Sequence, residues 1–242
     1  MKKIIYSLFA VLCVLPGLAQ AKPAPSETAL SAALEAAVRQ SAPRPAIRQT
    51  EPLFSLFFND TTNKDLFEQA LGLVGYFPPP GAKSFFTYPA GSRPDVGAAA
   101  LVFDNYRHIL LQLRANNLPA NLVGLHKDAV TITDTRSDGK RYFFVFFVTD
   151  VLARPNAPAE DTLARAAVAA AHEIYGHAYH LFADKTLGSR PKKYQEKIAY
   201  TESVAFLQRV IASPEYKKFS PKLQAAFQKV LVNEQKLLAA VR

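Results

Sequence analysis

The chain has 242 residues, 29 Lys and Arg against 20 Asp and Glu for a net charge of +9, and 49% hydrophobic residues. That length and apolar content exclude a disordered tail and suit one domain with a core of its own. The positive charge is scattered, with no run of Lys and Arg interleaved with aromatics, which argues against a nucleic-acid-binding protein and leaves only a general attraction to anionic cell-envelope polymers.

Residues 1–21 read as a secretory signal. Lys2 and Lys3 form a basic start, Ile4 to Leu18 is apolar, and Ala19-Gln20-Ala21 is a small-residue cleavage signature. The apolar run is shorter than a membrane span needs. Cleavage after Ala21 therefore predicts a periplasmic or secreted protein with no stable membrane span. Cys13, the only cysteine, leaves with the signal, so a core or a metal must hold the exported chain without disulfides. Losing Lys2 and Lys3 takes the basic residues from 29 to 27 against 20 acidic ones, a net charge of +7.

Residues 22–50 are rich in Ala, Pro and Ser. Within them Ser26 caps an expected short helix with Leu30, Leu34 and Val38 on one face. The main domain is expected at 51–242. Leu53 to Phe58 is a compact apolar stretch. Thr62 and Asp65 have capping-box spacing ahead of a helix through Val74, which Pro78-Pro79-Pro80-Gly81 stops. Val96 to Arg114 fits a helix or a buried strand equally well. Val130 and Ile132 alternate with threonines, Asp138-Gly139 signals a turn, and Tyr142 to Val148 is apolar on both faces. This predicts a hairpin whose second strand is covered.

Pro155 to Pro158 breaks the chain again, and Glu160 and Asp161 open an alanine-rich helix expected to reach Ala183. A second helix is expected over Lys192 to Ala212. A third starts at Ser220-Pro221, an N-cap followed by a favoured first-turn proline. The overall expectation is an α+β fold, a small β-sheet or hairpin packed against a helical core.

The alanine-rich helix carries His172-Glu173-Ile174-Tyr175-Gly176-His177-Ala178-Tyr179-His180, and three of the chain's five histidines fall here. Histidine is the commonest metal ligand, and a glutamate after the first histidine is the familiar partner for activating water. The spacing is one longer than H-E-x-x-H. On a regular α-helix His172 and His177 would point about 140° apart. A π-type irregularity absorbs one residue and restores a common face, and Gly176 is the expected place for unusual backbone angles. On an undistorted helix Glu173, His177 and His180 would share the face instead. Glu202 sits with Ile198 and Ala205 on one face of the next helix. A carboxylate there needs a partner, and a metal would supply one. Glu196 is the alternative third ligand, set among Lys192, Lys193 and Lys197. Two histidines and a glutamate make a His2Glu site of the catalytic-zinc kind, with Glu173 as general base. Tyr175, Tyr179, Tyr200 and His180 are candidate donors to an oxyanion.

The string His172 to His177 resembles the H-E-x-x-G-H motif of dipeptidyl-peptidase III-type zinc peptidases. Its pairing with Tyr200-Thr201-Glu202-Ser203-Val204-Ala205 is similar to the gluzincin plan, in which the third ligand is a glutamate on a downstream helix. The resemblance spans His172 to Ala205, with Thr201 standing where that family has a glutamate. It implies a zincin-like domain, one zinc ion held by His172, His177 and Glu202, Glu173 as the catalytic residue, and a peptide or protein substrate. The competing expectation is a non-catalytic metal- or envelope-binding protein on the same scaffold.

Overall fold

The structure, a computed structural model, describes residues 50–58, 63–89, 96–103, 129–135, 139–154 and 156–241. The expected signal, its cleavage site and the Ala/Pro-rich segment up to residue 49 lie outside these residues. In chain order the elements are β1 (Thr50–Pro52), β2 (Phe54–Phe58), helix α1 (Lys64–Tyr76), a short α2 (Lys83–Phe86), β3 (Thr87–Pro89), β4 (Val96–Phe103), β5 (Ala129–Thr135), β6 (Arg141–Val148), a short α3 (Thr149–Leu152) and α4 (Ala159–Ala171). A π-helical segment (His172–Tyr179) and α5 (His180–Ala183) continue α4 without a break. Then come α6 (Lys192–Ala212) and α7 (Pro221–Ala240). The architecture mixes helices and a small sheet, in agreement with the α+β expectation.

A four-stranded sheet has the order β2-β4-β6-β5. Its first three strands are parallel, and β5 runs antiparallel on the edge. The hairpin is therefore present, with Thr135 paired to Arg141 and the left-handed Gly139 (φ 80°) in its turn. Tyr142 to Val148 are all buried, as a strand apolar on both faces must be. Phe143 and Phe147 face the helices, where they meet Phe85 and Phe67 at ring separations of 6.0 and 5.7 Å. The ambiguous stretch at Val96 resolves as strand over Val96–Phe103, because β6 offers it a parallel partner.

Helix α1 starts one residue after Asn63, and no side chain caps it; Thr62 lies outside the described residues. Helix α7 starts as expected, with Ser220 Oγ accepting from the Leu223 amide at 3.2 Å. Helix α4 lies at the centre. Ala164, Ala166, Ala167, Ala169, Ala170 and Ala171 are all buried, because small side chains let α1, α6 and α7 close in around it. At its far end Arg141 of β6 donates to the carbonyls of Leu181 (2.9 Å) and Phe182 (2.6 Å), tying the hairpin to the last turn of the histidine helix. Among the described residues no helix is long and apolar enough to cross a membrane.

Gly176 corrects one detail of the sequence reading. Positive-φ glycines among the described residues are Gly81 and Gly139, so Gly176 is not there for unusual backbone angles. It is there for proximity. A Cβ at Gly176 would stand 2.6 Å from Ala199 Cβ and 3.1 Å from Ala199 O, so the backbones of the π segment and α6 touch at this point. Gly176→Ala is therefore expected to force the two helices apart at a cost of about 3 kcal/mol. Thermal denaturation should show Tm falling by roughly 6–12 °C. An unchanged Tm would mean that the crossing is looser than described.

Candidate metal centre

The π segment does what the i, i+5 spacing requires. Its i→i+5 hydrogen-bonding pattern brings His172 and His177 to the same side, with ring centroids 5.1 Å apart. The carboxylate that meets them comes from α6 and is Glu196. Its Oε2 lies 3.5 Å from His172 Nε2 and 3.8 Å from His177 Nε2, and one ligand atom from each of the three lies within 4.8 Å of the others. Donors about 2.0–2.2 Å from a shared tetrahedral ion stand roughly 3.4 Å apart, close to the two separations from Glu196, so this N, N, O set could hold a metal ion.

Further bonds hold the set in place. Ser203, fully buried, donates from Oγ to the Ala199 carbonyl at 3.0 Å. Its oxygen is then an acceptor for the proton on His172 Nδ1, 3.1 Å away. This favours the tautomer that keeps the lone pair of His172 on Nε2, the nitrogen facing Glu196. The Tyr200 ring packs edge-on to His172 at 4.7 Å. Burial pushes the pKa of His172 down, but the hydrogen bond to Glu196 and the charges of Glu173, Glu196 and Glu234 more than offset it and hold the imidazole above its usual 6.5. A metal must displace that proton, so binding weakens as the pH falls toward the raised pKa.

Glu173 is 6% exposed. Thr131 of the edge strand β5 places its hydroxyl 2.6 Å from Glu173 Oε2 and 3.1 Å from the Glu173 carbonyl oxygen. Strand β5 thus holds one carboxylate oxygen in a fixed place, and the charge of Glu173 acts on His172.

Glu202 is not brought to this cluster. Its Oε1 lies 3.1 Å from His180 Nε2, so the partner that a carboxylate on this face needs is a histidine of α5. The helix geometry explains the exchange. Six residues of α-helix turn about 600°, which puts Glu196 and Glu202 on different sides of α6. Glu196, Tyr200 and Ser203 form the i, i+4, i+7 stripe that meets His172. The lysines around Glu196 point outward, and its side chain is only 19% exposed. The alternative face of Glu173, His177 and His180 does not form either, because the π segment turns His177 toward His172 and leaves His180 with Glu202.

A cleft of about 940 Å³ runs between α4, α6 and α7. It is lined by His172, Glu173, Glu196 and Tyr200, and on α7 by the buried Glu234. Of the four candidate oxyanion donors, Tyr200 lines this cleft. Tyr175 is buried with its hydroxyl donating to the Val74 carbonyl at 2.5 Å, and burial pushes its pKa up. Tyr179 packs edge-on against Phe85 at 5.6 Å. Ser203, Thr131 and Glu234 were not evident from sequence. The spacing of Ser203 seven residues after Glu196 was the one available signal.

No protein-family model, curated protein or solved structure matches the chain.

Proposed function

We propose that the chain is an exported zinc-dependent peptidase with a zincin-like plan. His172, His177 and Glu196 would hold one zinc ion, and Glu173 is the general base. The observation that carries this reading is the placement of Glu173: its buried carboxylate lines the same cleft as His172 and Glu196, two of the three residues of the metal-ligating cluster. A structural metal site needs neither a cleft nor a held base beside it. The cleft supports a chain-like substrate, since its volume lies near the upper end of the range for small-molecule sites.

When bound, zinc in such a site lowers the pKa of a coordinated water to about 7 and polarises a carbonyl. The chain's own groups do the rest. Glu173 accepts the proton from the attacking water at its carboxylate and returns it to the leaving amine. Thr131 keeps that carboxylate turned to its place. Tyr200 offers a hydroxyl to the oxygen on which negative charge develops. Ser203 keeps His172 in the tautomer that leaves Nε2 available for the metal. Export follows from the signal-like first 21 residues.

The test is hydrolysis of a mixed peptide library by the purified protein. Cleavage should be abolished by a chelator and restored by stoichiometric zinc. Binding of one zinc ion without cleavage of any peptide would favour the non-catalytic metal-binding reading.

A further inference from the structure

Charge that is dispersed along the sequence is gathered by the fold on one outer face. Lys192, Lys193 and Lys197 open α6, and Lys236 sits near the end of α7. All four are exposed, and none makes an ion pair among the described residues. Lys192 and Lys193 line a hollow of about 440 Å³ with Ala240 and Val241, and Ala240 lies one turn beyond Lys236. The acids of these segments do not balance the lysines: Glu196 faces the histidine pair, and Glu234 is buried. Lys185 and Arg190 add charge in the connection before α6. The exposed acid there, Asp184, accepts from the Thr186 amide and hydroxyl at 2.8 and 2.7 Å. Apolar surface gathers at the same place. Of the four exposed large hydrophobics among the described residues, Tyr194 (52%), Val232 (50%) and Leu237 (37%) lie next to these lysines or one turn away.

We propose that this face docks on an anionic lipid bilayer. Clustered lysines are drawn to anionic headgroups at close range. Lysine is a hydrated point charge on a flexible stem, suited to a phosphate-rich surface that offers no fixed bidentate geometry. The interleaved apolar side chains can enter the headgroup layer while the lysine stems lie along it. A soluble anionic polymer would use the charge and leave the apolar side chains in water. Val232, Lys236 and Leu237 also line the cleft, so docking sets the mouth of the cleft against the bilayer. The proposal does not depend on the peptidase reading. Joined to it, docking places the peptide substrate at the membrane surface.

The test is sedimentation of the purified protein with vesicles, either phosphatidylcholine alone or phosphatidylcholine mixed equally with phosphatidylglycerol. Every protein compared carries the same N-terminus, so whatever residues 1–49 contribute is common to all. Partitioning onto the mixed vesicles should be stronger by about tenfold or more, since each lysine near an anionic surface adds about fivefold. The gain should shrink as salt is raised, because exposed charges are screened.

Lys192→Gln, Lys193→Gln and Lys236→Gln together should remove about tenfold or more of that gain. The matched control is Lys217→Gln, Lys218→Gln and Lys222→Gln. It removes the same charge elsewhere, with Lys222 about 21 Å from Lys236 along α7, and should keep most of the gain. All six positions are exposed, so Tm should hold in both proteins. Tyr194→Ser with Val232→Ser should weaken binding to the mixed vesicles and leave binding to soluble dextran sulfate unchanged. Equal partitioning onto both kinds of vesicle, or equal losses in the two lysine triples, overturns the proposal. So does dextran sulfate binding as tight as vesicle binding with no effect of the Tyr194 and Val232 substitutions, an outcome that assigns the face to a soluble polymer.

Discussion

Glu173→Gln is expected to lower peptide hydrolysis by about 10²–10⁴-fold while leaving zinc bound. Glutamine has nearly the same volume, and its amide oxygen can still accept from Thr131, which lies 2.6 Å from the native carboxylate. What it lacks is basicity. The metal donors belong to His172, His177 and Glu196, so zinc content should stay at one ion per chain. Removing a buried charge beside His172 also removes one of the influences holding its pKa up, so the proton competes less with the metal, not more. Turnover of a peptide and metal content, measured on the same preparation, separate the two effects. A Glu173→Gln protein as active as the parent would leave a metal-binding protein of another kind.

The second large effect distinguishes two glutamates six residues apart on α6. Glu196→Ala is expected to weaken zinc binding by more than 100-fold, beyond the 10–100-fold that loss of a ligand's supporting hydrogen bond costs. Its stability should fall to that of the metal-free protein. At a zinc concentration a hundred times the Kd, that loss is about 2.7 kcal/mol, with no disulfide to compensate. Glu202→Ala should keep its zinc. It breaks the 3.1 Å pair with His180, which is 31% exposed, and such a pair is worth about 1 kcal/mol or less. Metal titration and melting curves of the two variants check this. Full zinc occupancy in Glu196→Ala with loss in Glu202→Ala would return the third ligand to the gluzincin-like position.

The local features were legible because local chemistry produces them. Pro158 with Glu160 and Asp161 marks the start of α4, and Ser220-Pro221 marks the start of α7. Tyr142 to Val148 could only be a covered strand. The i, i+5 histidine spacing required a π-type turn, because two imidazoles 140° apart cannot share an ion.

What could not be read depends on partners distant in sequence. Val96–Phe103 is a strand because β6, 45 residues on, hydrogen-bonds to it. Glu196 is set among lysines in the sequence, yet α6 crosses the π segment at Ala199 and turns the stripe of Glu196, Tyr200 and Ser203 inward. The glycine that permits this crossing was visible, but its reason was not, since the backbone it touches is 23 residues away. Glu202 was correctly expected to need a partner, and the structure gives it His180.

The most direct measurement is anomalous diffraction at the zinc edge from crystals of the zinc-loaded protein. The expected result is one ion bonded to His172 Nε2, His177 Nε2 and a Glu196 carboxylate oxygen at roughly 2.0–2.2 Å, open to the cleft beside Glu173. An ion held instead by His180 and Glu202, or no ordered ion at the histidine pair, would contradict it.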